Sequence, residues 1–325
     1  WAGEAHDPRR RARVAARQAF VFASAAAEGP IGPWGLVARD GWAWFGARGR
    51  RDDGLYAASL TTAGEVADPQ PYLYEHAFIL LALAALGDAE EARSILAALQ
   101  ALRHPAGGFR EAGDRPFQAN AHMHLFEAAL AWEAAGGGAA WTALADEIAA
   151  LALDRFIDPA SGALREFFDA GWMALGGDDA VVEPGHQFEW AWLLEQWGVA
   201  RRRPDARAAA RRLFDVGRGA FDAGRGVVCN ALRRDLSVRD AGARLWPQTE
   251  HLKAALILGE TAAALEAANG LVAYLETPQA GAWRERMGAD GRFLEEPSPA
   301  TSLYHLYLAI RELAQVSRSD FAGKP

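Results

Sequence analysis

Along most of this chain apolar residues recur every three or four positions, the spacing of helices that bury one face. The pattern predicts eleven helices, at about 8–27, 34–46, 70–86, 88–103, 119–135, 139–155, 185–198, 204–221, 247–257, 258–275 and 299–315. Alternating strand-like stretches are few. The arginines at 9, 10, 11 and 13 read as the solvated face of the first helix.

Between alternate helices a glycine-led segment returns: Gly54-Leu-Tyr, Gly108-Phe-Arg-Glu, Gly162-Ala-Leu-Arg-Glu, Gly226-Val-Val and Gly281-Ala-Trp-Arg-Glu. The glycines stand 54, 54, 64 and 55 residues apart. A period of that size, holding two helices and one extended loop, marks a helical repeat. Six hairpins closed on themselves would make an all-α (α/α)6 barrel, formed by residues 1–325 as one catalytic domain. Eleven helices leave such a ring one short, and the twelfth would precede Trp1.

Composition narrows the classes. With 51% hydrophobic, 23% charged and 10% aromatic residues among 325, the chain has the makings of a packed core. A formal charge of −8 and no basic block among aromatics argue against nucleic acid. The longest apolar run, Ala77 to Leu86, is too short to span a bilayer, so no membrane anchor is expected. Cys229 is the only cysteine, which excludes an internal disulfide and a cysteine-built zinc site and suits the cytoplasm. An oligomer is compatible with all of this.

Four histidine-bearing segments open predicted helices: Asn120-Ala-His-Met-His124-Leu-Phe-Glu127, Glu183-Pro-Gly-His186-Gln-Phe-Glu189-Trp190, Trp246-Pro-Gln-Thr-Glu250-His251 and Ser302-Leu-Tyr-His305. One buried histidine is usually structural; four at matching places in successive hairpins suggest a shared purpose. His186 and Glu189, like His124 and Glu127, are three apart, so a carboxylate can orient each imidazole and raise its basicity. Asn120 lies one turn before His124, and Trp246 one turn before Glu250. Aromatic faces beside carboxylates suit a monosaccharide. His122 and His124, two apart, point to different sides of a helix, and no metal is indicated. Phosphate loops, the Gly-x-Ser-x-Gly elbow and His-Glu-x-x-His are absent from the sequence.

At these residues the chain resembles the N-acylglucosamine 2-epimerase superfamily, and within it the mannose isomerase and sulfoquinovose isomerase branch. Six strings carry the likeness in order: Arg17-Gln-Ala-Phe-Val-Phe-Ala-Ser, Tyr74-Glu-His-Ala-Phe, Asn120 to Ala128, Glu183 to Trp190, Leu245-Trp-Pro-Gln-Thr-Glu and Tyr304-His305. The resemblance implies an (α/α)6 barrel that isomerises sugars without metal or nucleotide. It assigns His305 as base and acid at the reacting carbons, His186 with Glu189 as its partner, and His124 to ring opening. Asn120, Trp246 and Glu250, with Arg17 and Tyr74, match substrate-holding positions. Isomerases of this branch carry a further helix and a Gly-Gly-Phe loop ahead of the segment matching Asp7 to Arg17, and this sequence does not contain them.

The expected reaction is aldose–ketose isomerisation of D-mannose, or a close aldohexose, to D-fructose through ring opening and a cis-enediol. The Leu-Trp-Pro-Gln-Thr-Glu string resembles the isomerase form, where epimerases show adjacent tryptophans. A sugar 2-epimerase is the alternative, and a glycoside hydrolase using Glu183 and Glu250 or a non-catalytic sugar-binding toroid stand behind it.

Overall fold

The structure, a computed structural model, describes residues 7–29 and 31–322. Eleven α-helices occur among them, one for each helix that the spacing predicts. They fall into two compact units, one from the described residues of Gly3–Asp154 with Phe167–Met173, the other from Arg155–Glu166 with the described residues of Ala174–Pro325.

The first unit contains α1 (Ala12–Glu28), α2 (Trp34–Gly49), α3 (Leu73–Leu86), α4 (Ala89–Ala98), α5 (Ala119–Ala134) and α6 (Ala139–Leu151). Helix α1 packs on α3 and α3 on α5, while α2, α4 and α6 lie against α1, α3 and α5 in turn. This division follows from composition. The α3 segment Leu73–Leu86 is apolar nearly all round and buries ten of its residues, whereas α4 shows only Ala92 and Ile95 to the core. Helix α1 begins later than its apolar pattern suggests, because Arg9–Arg11 pairs as a strand with Ser59–Thr61. Of the arginine run, Arg13 is half-buried and its guanidinium bonds the buried Glu75, so it is not merely a solvated charge.

The second unit repeats the scheme with α7 (Pro184–Arg201), α8 (Pro204–Arg218), α9 (Leu245–Ile257), α10 (Thr261–Leu275) and α11 (Leu303–Ala322). Here α7 packs on α9 and α9 on α11, with α8 behind α7 and α10 behind α9. Pro184 and Pro204 open their helices, where a missing N–H costs nothing.

One device ties the loops to the odd-numbered helices. At the start of α3, His76 bonds the carbonyl of Tyr72 through Nδ1 at 2.7 Å and accepts the Tyr56 amide N–H on Nε2 at 2.8 Å. His122 of α5 does the same with Gln118 at 2.8 Å and Phe109 at 3.0 Å. In α7 the amide of Gln187 replaces the imidazole, accepting from Leu164 N–H at 2.8 Å and donating to Glu183 carbonyl at 3.4 Å. Gln248 in α9 accepts from Val228 N–H at 2.7 Å and donates to Arg244 carbonyl at 2.9 Å. A side chain with an acceptor and a donor two bonds apart is what the position requires, and both residue types supply it. The loop comes so close that a Cβ on Gly108, whose φ is +71°, would stand 2.7 Å from His122 Nε2.

These four latches set a common register. Two positions before them stand Tyr74, Asn120, Gly185 and Trp246; two positions after them stand Phe78, His124, Glu189 and Glu250. Tyr74, Asn120 and Trp246 thus share one place in the helical repeat, and His124, Glu189 and Glu250 share another.

Candidate functional site

In the first unit Arg17 is 4% exposed and lies in α1 with its guanidinium carbon 4.0 Å from the Phe78 ring centroid. Its Nη2 donates to Tyr74 Oη at 2.9 Å. The His124 ring sits 4.3 Å from Phe78 and 5.2 Å from Tyr74, and its Nδ1 meets Glu127 Oε2 at 3.3 Å. Arg17, Tyr74 and His124 therefore gather around Phe78. Asn120 lies one turn before His124, with its Oδ1 buried and accepting no protein hydrogen bond. Such an acceptor is the kind a sugar hydroxyl satisfies. The start of α3 is held by Glu111, which accepts from the Leu73 amide at 2.6 Å and the Tyr74 amide at 2.9 Å. Burial pushes the Glu111 carboxyl up to about 7, against the pull of those amides.

His122 plays a different part from His124. Both of its ring nitrogens serve the latch, and burial depresses it to about 4, so it is a neutral structural group. His76 behaves in the same way, also at about 4. His251 stacks on Phe188 with ring centroids 4.7 Å apart and is depressed to about 3 by burial and by Arg218.

In the second unit His186, Trp246 and His305 come together. Trp246 is half-buried, and its ring centroid lies 5.1 Å from that of His186 and 5.8 Å from that of His305. Its ring covers Gly185, where a Cβ would approach it to 2.3 Å. His305 Nδ1 bonds Glu250 Oε1 at 2.9 Å, and the other oxygen, Oε2, takes Lys253 Nζ at 2.7 Å. Burial would raise Glu250, but Lys253 and His305 outweigh it and hold the carboxylate down at about 2. With Nδ1 engaged by a carboxylate, the histidine directs its proton chemistry through Nε2.

His186 has a carboxylate on Nδ1 as well, supplied by Glu166 Oε2 at 2.9 Å, with Glu183 Oε2 at 3.8 Å. Sequence spacing offers Glu189 for that position. The structure puts Glu166, from the loop before α7, on the ring nitrogen, and the charge of Glu189 is the weakest of the influences there. Burial disfavours a charged His186, yet Glu166, Glu183 and Glu189 together raise it to about 10. It is an imidazolium at neutral pH. Glu183 is itself pushed up, by burial and by the charge of Glu166.

Glu189, Glu250 and His305 have donor atoms within 4.8 Å of one another. A cation there would face the Lys253 ammonium, which already balances Glu250. Glu166, Lys253 and the Glu285 carboxylate are residues that motif reading passes over. Glu285 accepts from Arg244 Nη2 at 3.0 Å and from Ser302 Oγ at 2.6 Å, three residues before His305. Their signal was present: Glu111, Glu166 and Glu285 all end the glycine-led Arg-Glu loops.

A half-buried tryptophan beside two carboxylate-held histidines, on paired helices, suits sugar chemistry, and comparison with solved structures puts it in context. A crystal structure of D-mannose isomerase superposes with a TM-score of 0.88 at 22% identity, covering 96% of this chain and 89% of that one. Cellobiose 2-epimerase from Spirochaeta thermophila DSM 6192 gives 0.82 at 20% identity, covering 95% and 88%. The fold is thus the (α/α)6 barrel of isomerases and epimerases. Residues 2–309 match the N-acylglucosamine 2-epimerase family, to which the chain belongs. Among its relatives is a protein named mannose-6-phosphate isomerase from Rhizobium meliloti (strain 1021), 43% identical over 337 residues, spanning 96% of this chain and 87% of that protein.

Proposed function

We propose that this protein is an aldose–ketose isomerase that interconverts D-mannose, or a close aldohexose, with D-fructose. The observation that carries the reading is His305, its Nδ1 fixed by the ionised, buried Glu250, with the carboxylate-held His186 beside the same Trp246 ring. An enolisation needs one group to take the C2 proton and another to protonate O1, and two carboxylate-held imidazoles supply them.

Ring opening, assigned to His124 by family resemblance, exposes a C1 aldehyde that acidifies the C2 proton. His305 removes that proton, and the electron pair left on C2 forms the C1–C2 double bond of a cis-enediol. His186, as an acid, supplies a proton to O1. Loss of the O2 proton and return of a proton to C1 then give the ketose: C1 is reduced, C2 oxidised, and no outside electron carrier enters. Trp246 offers a stacking face to the sugar, and the family resemblance assigns Arg17, Tyr74 and Asn120 to holding its hydroxyls. The reading takes residues 1–325 as one catalytic domain working in the cytoplasm, which the single cysteine suits.

The name of the Rhizobium relative supports the mannose skeleton and puts mannose 6-phosphate on the list of substrates to try. Proton NMR in heavy water with mannose, mannose 6-phosphate, fructose, glucose and N-acetylglucosamine tests the proposal. Mannose–fructose interconversion, reduced about 10²- to 10⁴-fold by His305→Ala, is the expected result. Mannose–glucose exchange without a ketose would move the chain to the 2-epimerases, the reading that the likeness to cellobiose 2-epimerase keeps in view.

A further inference from the structure

We propose that Lys253 is a positioning residue for the proton-transferring histidine: it fixes one oxygen of Glu250 and thereby aims the other at Nδ1 of His305. The proposal rests on the isomerase reading above.

Lys253 is fully buried, with 0% side-chain exposure, and so is Glu250. Lysine is almost never buried to that degree unless paired, and removing an ammonium from water is expensive. Its salt bridge joins residues three apart on α9, while its ammonium also faces the Trp192 ring of α7 and the charge of Glu312 of α11. If the side chain served packing alone, an apolar chain of similar length would fill the space at lower cost. The arrangement makes sense through Glu250. The carboxylate has a different partner on each oxygen, Lys253 Nζ at 2.7 Å and His305 Nδ1 at 2.9 Å, and rotation about its terminal bond would break both contacts. The ammonium is held in turn by Trp192 of α7, whose ring centroid is 4.0 Å from Nζ. Lys253 therefore sets the plane of the carboxylate, and the carboxylate sets the imidazole.

The repeat supports the pairing. Relative to the latch residues, Glu250 and Lys253 occupy the same two positions as His124 and Glu127 of α5, where the side chains also meet, at 3.3 Å.

The test compares wild type, Lys253→Met, Glu250→Gln and the double variant, measuring kcat and KM for mannose-to-fructose conversion and the exchange of the mannose C2 proton with heavy water. Melting curves establish that each variant is folded. Lys253→Met is expected to lower kcat and C2 exchange about 10- to 100-fold, the usual cost of losing a group that orients a ligand or base, with KM changed less than about twofold. Because Lys253 acts through Glu250, the double variant should lose no more than Glu250→Gln alone. If Lys253→Met melts below the assay temperature, Lys253→Leu, which likewise removes the donor, carries the same expectation. Wild-type kcat in the variant, a rise in KM alone, or losses that multiply in the double variant would overturn the proposal. Failure of the wild type to convert any aldose would instead remove the isomerase reading beneath it.

Discussion

Replacing Gly185 by alanine should show how tightly the Trp246 ring is placed. The new Cβ would lie 2.3 Å from Trp246 Cζ3 and 2.4 Å from Cη2, against the roughly 3.5–4.0 Å of ordinary carbon contacts. The indole must therefore move by about 1 Å or more. In stability two terms oppose each other. Alanine favours a helix over glycine by up to about 1 kcal/mol, and overpacking usually costs about 1–3 kcal/mol. The net change is a loss of about 0–2 kcal/mol, or a melting point lower by only a few degrees. Activity should suffer far more, because Trp246 packs against both His186 and His305 and a 1 Å misplacement of reacting groups costs on the order of 10²-fold. Steady-state kcat/KM for mannose, together with a thermal melt, measures both effects. An alanine variant that is more stable than wild type and fully active would show that the ring has room to move and that its position does not matter to the reaction.

Glu166→Gln should lower the pKa of His186, because it removes the nearest carboxylate charge. In the wild type the raised His186 stabilises the fold fully below its unfolded pKa of about 6.5, and that contribution is lost as pH climbs through about 10. Urea midpoints should therefore fall between those pH values in the wild type and fall less in the variant; parallel curves would refute the assignment. Glu250, held at about 2, works in the opposite direction: its contribution is complete above its ordinary range and disappears as pH falls towards 2, so Glu250→Gln should flatten the acid limb of the same titration. At the latches, His122→Gln should fold much like the wild type, since glutamine serves in α7 and α9, while His122→Ala should cost about 1–3 kcal/mol for each polar group left unpaired. Equal stabilities for the two variants by urea denaturation would count against the latch.

All eleven helices were legible because α3, α5, α7 and α9 are built from dense apolar runs and α4 and α8 are strongly one-sided. The glycine-led loops gave the repeat. Helix starts were less legible: Arg9–Arg11 has helical composition yet pairs with Ser59–Thr61, a partner some fifty residues away that local spacing cannot reveal. The site shows the same divide. His186 and Glu189 suggest a pair by spacing, but the hydrogen bond goes to Glu166 from another loop. Spacing also cannot tell that Nδ1 of His305 reaches Glu250, 55 residues away. His122 and His124 differ in sequence only by position, and the loop amide of Phe109 makes one a latch and leaves the other beside Phe78.

The latches also bear on how the chain folds. Their loop-to-helix bonds span only 20, 13, 23 and 20 residues, short closures that carry little entropic cost. Each hairpin can thus close on its own, in any order, as neighbouring repeats do when they nucleate independently. The bond between His305 and Glu250 spans 55 residues and needs α9 and α11 already side by side. The His305 half of the proton-handling geometry therefore has to wait for two hairpins to meet, whereas the His186–Glu166 bond, spanning 20 residues, can form within a single one.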